Sequence, residues 1–384
     1  MKIVGIIVEY NPLHNGHLHH IIEVRKKTKA DILIAVMSSN MTMRGNVSLF
    51  DKFIKTKQAL ASSVDLVIEL PLVYSMQRAD IFAKNSVMLL NLIGVDEIVI
   101  GSEENDDSIY EFAYKTLKNN ESEIKKLMES GISYKAATSK FVNFKSNDQL
   151  GLAYYKAIKD YNYNIKLSTI KRIASDYLDL NPNNDNIASA LAIRNNLNLI
   201  EKYTPSYVSK YKDVRTDDKI FPYLKYKILS SKPYELKNIF FVDEGIENRL
   251  LKINDFSSLD EFINSLVSKR YTRSRIQRML YYILFNIEKN EMNNLGEIDF
   301  IRVLGYSLKG QEYLALNKKN INIYTNIKNN INKALDIELR ATKILDHIYN
   351  TNTFKQEQKG PITLWNIVMN VEQSSYIKSL SMKE

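Results

Sequence analysis

The chain has 384 residues, 45% of them hydrophobic and 25% charged, the composition of a folded globular protein with room for two domains. It contains no cysteine, which excludes a disulfide framework, an iron–sulfur cluster, a thiolate zinc site and a cysteine nucleophile. The net charge of +9 is uneven: residues 1–200 carry 24 Lys and Arg against 22 Asp and Glu, whereas residues 201–384 carry 29 against 22. A basic second half fits a polyanion partner or a merely solvated basic surface, and charge alone does not separate the two.

In chain order, the apolar runs Ile3–Val8, Asp31–Met37, Leu66–Leu70, Glu97–Gly101 and Ile165–Ile170 read as strands. Between them Gly16–Lys29, Asp51–Ser62, Ala79–Leu92, Asp106–Met128 and Asp148–Lys159 read as helices. Continuous apolar strands alternating with helices predict an α/β fold with a Rossmann-like parallel sheet covered on both faces. Ligands of such sheets bind beyond the carboxyl ends of the strands. The segments after the first strand (Glu9 to His17) and the fourth (Gly101-Ser102-Glu103) are therefore expected to share a crevice. From about residue 205 the alternation fades, and Leu259–Val267, Ser274–Glu288 and Ile321–Tyr349 show helical spacing. The expected division is 1–204, an α/β domain, and 205–384, a mainly helical basic domain, joined near Thr204-Pro205-Ser206. No stretch approaches the roughly 18 uncharged apolar residues of a membrane span, so a cytoplasmic protein without a membrane partner is expected.

Four of the five histidines fall within Leu13–His20, directly after the first strand. His14 and His17 stand three apart and share one side of a helix N-terminus, where free N–H groups and the dipole favour phosphate. Gly16 lets backbone approach a ligand without a Cβ, and Pro12 fixes the entry to the turn. Two imidazoles placed there can donate hydrogen bonds to phosphate oxygens as charge builds at phosphorus. A metal site is the competing reading, but no carboxylate stands at ligand spacing and no H-E-x-x-H occurs, so no metal ligand is assigned. A second element, Ile187 to Arg194, follows the last predicted strand. It resembles the I-S-S-T-x-I-R element of HxGH nucleotidyltransferases, with Ser189 and Arg194 kept and Leu191 where a hydroxyl residue is usual. An ordinary helix capped by Asn186 is the alternative.

The run Val8-Glu9-Tyr10-Asn11-Pro12-Leu13-His14-Asn15-Gly16-His17 looks like the N-terminus of the bacterial tRNA(Met) cytidine acetate ligases. Ser38 to Gly45, Asp51-Lys52, Asp65 to Pro71, Gly101-Ser102-Glu103, Ser146-Asn147-Asp148, Thr169 to Arg172, Arg270 to Ile276 and Ile301 to Gly305 extend the resemblance over nearly the whole chain. Asp176-Tyr177-Leu178-Asp179 departs from it, since the family usually has Gly-Tyr-His-Asp there. The resemblance implies an ATP-dependent ligase, with Mg2+ accompanying the ATP. It would join acetate to AMP and pass the acetyl group to the N4 amine of the wobble cytidine of elongator tRNA(Met). It also implies ATP contacts from Ile7, Val8, Glu9, Tyr10, Asn11, Pro12, Leu13, His14, Asn15, Gly16, His17, Leu18, His19 and His20, and from Gly101, Asn147 and Arg172. Ser189 and Arg194 would complete the pocket, and His14 and His17 would be catalytic. Tyr271, Arg273, Arg275 and Arg278, a basic cluster with an aromatic, suit RNA phosphate contact and base stacking, and Arg44, in the loop after the second strand, is placed to meet either acetate or the anticodon. A small-molecule adenylyltransferase and a non-catalytic RNA-binding protein remain the alternatives.

Overall fold

The computed structural model describes residues 1–132, 134–172, 186–317, 321–328 and 332–364. Five parallel strands form the core of one sheet: β1 (Ile3–Val8), β2 (Ile32–Ser38), β3 (Leu66–Leu70), β4 (Glu97–Ser102) and β5 (Lys166–Lys171), in the order β5-β4-β1-β2-β3. All seven residues of β2 and all five of β3 are buried, because helices cover both faces and neither side of these strands meets water. Helix α1 (Asn15–Thr28) follows β1 and helix α2 (Lys52–Ala61) follows β2. The strand order reverses direction between β1 and β4, which opens a crevice beyond their carboxyl ends. The expected parallel α/β fold is the one observed, and the predicted strand bounds lie within one residue of the observed ones.

Beyond residue 204 the chain is mainly helical, with helices such as Phe221–Ser230, Leu259–Leu266, Arg273–Leu284 and Lys333–Tyr349. It also returns to the sheet, which the sequence pattern did not reveal. β6 (Phe300–Ser307) pairs antiparallel with β3, and β7 (Asn322–Tyr324) and β8 (Ile362–Leu364) pair parallel with β6. The expected helix Ile321–Tyr349 thus begins as strand β7, and its helical part is Lys333–Tyr349. Asp106–Met128 divides into two helices, Ser108–Asn119 and Glu121–Glu129, at Asn120. The Asp176–Asp179 stretch lies outside the described residues.

The junction between the halves is ionic as well as apolar. Lys52 Nζ pairs with Glu69 at 2.5 Å, with Glu338 at 3.2 Å and with Glu357. Arg302 of β6 pairs with Glu357 at 2.7 Å and stands 3.9 Å from Glu69. Every one of these side chains is at most 1% exposed. With three carboxylates against two cations, burial pushes the Glu69 carboxyl up to about 8, the Lys52 charge pulling it the other way. The cluster knits α2 and β3 to β6 and to two helices more than 260 residues along the chain from α2.

Candidate active site

His14 is the N-cap of α1, with an extended backbone at φ −129° and ψ 173°. Its Nδ1 accepts the Gly16 N–H at 3.1 Å, while Nδ1 of His17 accepts the His14 N–H at 3.3 Å. This reciprocal capping box leaves the Nε2 of each neutral ring as its N–H donor. The two rings stack with centroids 3.8 Å apart, and Tyr10 meets His17 edge-on at 5.1 Å. Burial holds His14 down to about 3, with the positive charges of Arg172 and Arg194 adding to the effect. Burial likewise lowers His17 well below the usual histidine range, with His14, Arg172 and His20 adding, and the Pro12 carbonyl beside the ring working against it. Both rings are therefore neutral donors at neutral pH, set at a helix N-terminus among cationic side chains.

The motif loop is pinned from three sides. Oδ1 of Asn11 accepts the Leu49 N–H at 2.7 Å, and the Asn11 carbonyl accepts from Arg194 Nη1 at 2.6 Å. Asn15 donates to the Asn186 carbonyl at 2.9 Å. The two sequence motifs, some 170 residues apart, therefore meet directly. Ser189 caps the helix Ala190–Asn195 by accepting the Ala192 N–H, so the cap is Ser189 and not Asn186. Leu191 lies in the first turn of that helix, and the Ser189 hydroxyl serves as its cap.

Gly101 is the penultimate residue of β4 and faces α1. A Cβ there would come within 3.2 Å of Arg172 Cγ and 3.9 Å of His20, so the glycine keeps this wall of the crevice low. Arg172, just past β5, stands 3.8 Å from the Glu103 carboxylate. Asn147 is inside the helix Ser146–Asp160 and does not cap it; its amide donates to Glu103. Gly101, Glu103, Asn147 and Arg172 thus form one connected rim at the β4 and β5 ends, opposite His14 and His17. One further residue, Lys55, escaped the sequence reading. Lys55 of α2 donates from a fully buried Nζ to the carbonyls of Glu9 at 3.0 Å and Ser38 at 2.8 Å, tying the ends of β1 and β2 together. Burial brings its amine down to about 7, with Glu9 and Asp51 opposing the shift. Glu9 accepts the Met43 N–H at 2.6 Å, anchoring the loop after β2 to the motif segment. The only sequence signal for Lys55 was its place one turn after Asp51-Lys52.

The residues expected to meet RNA separate into different surroundings. Tyr271 is 5% exposed, its hydroxyl donates to the Asp243 carbonyl and Arg275 covers its ring at 4.3 Å. An exposed stacking face is not available there, which corrects the expectation for this residue. Arg273 is on the surface, paired with Asp260 and donating to Asn264. Arg278 is 8% exposed and turns inward to the Met43 carbonyl at 3.2 Å. Gly45, next to Arg44, has φ +82° and packs on the Arg278 backbone, where a Cβ would stand 2.5 Å from its nitrogen. The Arg44 loop and the start of the Arg273–Leu284 helix are therefore one surface, which the sequence could not show.

In the unfolded chain the histidine imidazoles take up a proton near pH 6.5, whereas folding holds His14 near 3 and His20 near 4. The unfolded state binds more protons in that window, so this stability is fully present above about pH 6.5 and is lost as pH falls toward 4. Thermal unfolding of the ligand-free protein is expected to shift to lower temperature below about pH 6.5, with a shallower fall for His20→Gln. Parallel pH slopes for the two proteins would refute this assignment.

Residues 1–360 match the family model described as HIGH Nucleotidyl Transferase, and the sheet order, the capped histidine pair and the Ser189–Arg194 element define the chain as a member of that class. The protein described as tRNA(Met) cytidine acetate ligase of Geobacillus sp. strain WCH70 is 39% identical over 350 residues, covering 84% of this chain and 87% of the relative. That of Oceanobacillus iheyensis is 36% identical, covering 95% of this chain and 100% of the relative, and that of Fusobacterium nucleatum is 41% identical over 84% and 86%. Within the class, the chain belongs to the tRNA(Met) cytidine acetate ligase family. Among solved structures it is similar to Thermotoga maritima TmcAL, with a TM-score of 0.84 and 28% identity for the apo form, covering 95% of this chain and 100% of that one. The form bound with alpha-thio ATP gives 0.82 and 27% over the same shares.

Proposed function

We propose that this chain activates acetate with ATP and transfers the acetyl group to the N4 amine of the wobble cytidine of elongator tRNA(Met). The supporting observation is the pair of neutral imidazoles at the α1 N-terminus, stacked at 3.8 Å and facing a rim that carries Arg172. ATP lies over the Ile7–His20 segment, with Gly101 and Asn147 along one side. An acetate oxygen attacks the α-phosphorus, the bond to the β-phosphate oxygen breaks and pyrophosphate leaves. The Nε2–H donors of His14 and His17, together with the α1 N–H groups, stabilise the charge that develops on the phosphate oxygens. Arg172 balances the departing pyrophosphate, while Arg194 holds the Asn11 carbonyl and so positions the loop. The cytidine amine then attacks the acetyl carbonyl, AMP leaves with the bonding electrons and the amine loses a proton.

Among the described residues no group of three or more histidine or acidic side chains is arranged to hold a metal ion. Mg2+ accompanying ATP would therefore be held chiefly by phosphate oxygens and water, its usual mode in nucleotide sites. Among the described residues no helix is long and apolar enough to cross a membrane, which suits the cytoplasmic location proposed for an enzyme acting on transfer RNA. The first half-reaction has its own test, acetate-dependent exchange of labelled pyrophosphate into ATP without RNA. Exchange that rises with acetate is expected, and exchange unaffected by acetate would remove the carboxylate from the reaction.

A further inference from the structure

A cavity of about 480 Å³ opens between the Arg273–Leu284 helix and the segment around Phe240, lined by Arg78, Phe240, Phe241, Asp243, Arg275, Arg278, Lys289 and Asn293. Its volume falls in the range that holds a small organic group rather than a lone ion. The charges on its wall are unbalanced. Lys289 pairs with Asp243 at 2.7 Å and Arg275 stands 3.9 Å from the same carboxylate, while Arg78 is held by Asp80 at 2.6 Å. Among the described residues Arg278 pairs with no carboxylate: it is 8% exposed, its Nη1 donates to a carbonyl and its Nε meets no hydrogen-bond acceptor. A buried guanidinium without a counter-ion is costly, and an anion entering the cavity would relieve that cost. Burial brings it down to about 10, with Tyr282 and Asp80 opposing the shift and the charges of Arg275 and Arg78 adding to it.

The opposite wall is aromatic. Phe240 and Phe241 stack on each other at 4.3 Å, and the Arg278 guanidinium lies 5.6 Å from the Phe241 ring. An arginine beside a partly buried phenylalanine matches the two ends of a nucleotide, phosphate and base. The cavity is also wired to the nucleotide crevice. Met43 accepts from Arg278 through its carbonyl and donates through its N–H to Glu9, so one loop residue touches both places.

We propose that this cavity receives one unstacked nucleotide of the RNA substrate, its backbone phosphate on Arg278 and its base against Phe241. The inference rests on the RNA reading given above. Lodging a neighbouring nucleotide here would hold the single-stranded loop open while the reactive cytidine occupies the crevice beyond β1. Hydrolysing or transferring nothing itself, the cavity acts by binding alone.

The test uses the full chain and a set of anticodon stem-loop RNAs, each with one abasic nucleotide outside the wobble position. One position is expected to lose roughly tenfold in affinity when its base is removed. In Phe241→Leu that penalty should vanish, because the wall the base packs on is gone. Arg278→Gln should weaken every RNA and reduce the salt dependence of binding by about one phosphate. Phe241→Leu leaves the buried arginine in place, so it still decides the matter should Arg278→Gln fold poorly. Affinities unchanged across the abasic set, or a penalty equally large in Phe241→Leu, overturn the proposal. A position-specific loss that depends on Phe241, with no acetylated cytidine formed from ATP and acetate, would retain the cavity's role and sink the acetylation reading instead.

Discussion

His17→Ala is expected to slow pyrophosphate release in the acetate activation step by roughly 10²–10³-fold, the cost of deleting one preorganised donor to a developing oxyanion. The loss should appear in kcat more than in KM for ATP, because the donor matters most as charge moves onto the phosphate oxygens. The ring also accepts the His14 N–H, so part of the α1 cap disappears with it. His14→Asn separates the two roles, since asparagine is a good N-cap but lacks the imidazole Nε2. If His14→Asn keeps its melting temperature and loses rate, the imidazoles act on the substrate. A His17→Ala enzyme with unchanged kcat would take the pair out of the chemistry.

The second large effect is on stability. Lys52→Met should destabilise the fold by about 3–5 kcal/mol, measured by urea unfolding, because it strands Glu69, Glu338 and Glu357 in the interior with Arg302 alone to balance them. Glu69→Gln should cost clearly less. Burial pushes the Glu69 carboxyl up to about 8, so the neutral amide resembles the form already favoured at neutral pH, and its carbonyl oxygen can still accept from Lys52. Equal losses for the two variants would show that the cluster is not governed by its charge balance. The position matters for function as well, since Lys55, one turn along α2 from Lys52, ties the ends of β1 and β2 beneath the histidine loop.

The parallel sheet was legible because its strands are mostly apolar runs between amphipathic helices, even where Glu69 or Ser168-Thr169 interrupts one. Burial on both faces writes itself into the sequence in that way. β6 was not, because the buried Arg302 interrupts its apolar run and makes it look like a piece of the surrounding helical half; only the ion pairs with Glu69 and Glu357 make an arginine tolerable there. The histidine pair was readable from spacing, since a strand, a turn and a helix start leave few places for His14 and His17 to point. Their tautomers were not, because these depend on the Gly16 and His14 N–H groups closing back on the rings. The basic cluster at 271–278 misled in part. Helical spacing could not tell that Tyr271 is sealed under Arg275, that Arg273 is spent on Asp260, or that Arg278 turns inward toward a loop 235 residues earlier. Arg278 is set by docking of the Gly45 loop on its backbone, Tyr271 by the Asp243 carbonyl and Arg273 by Asp260, and no local pattern encodes these contacts.

The central claim is that one crevice makes an acetyl-adenylate and hands its acetyl group to a cytidine. The direct measurement is to incubate the enzyme with ATP, labelled acetate and elongator tRNA(Met), digest the RNA to nucleosides and follow pyrophosphate and AMP in parallel. Label is expected in N4-acetylcytidine at the wobble position, with AMP and pyrophosphate formed in step with it and all three slowed together by roughly 10²–10³-fold in His17→Ala. Acetate-dependent release of pyrophosphate with no labelled nucleoside would contradict it.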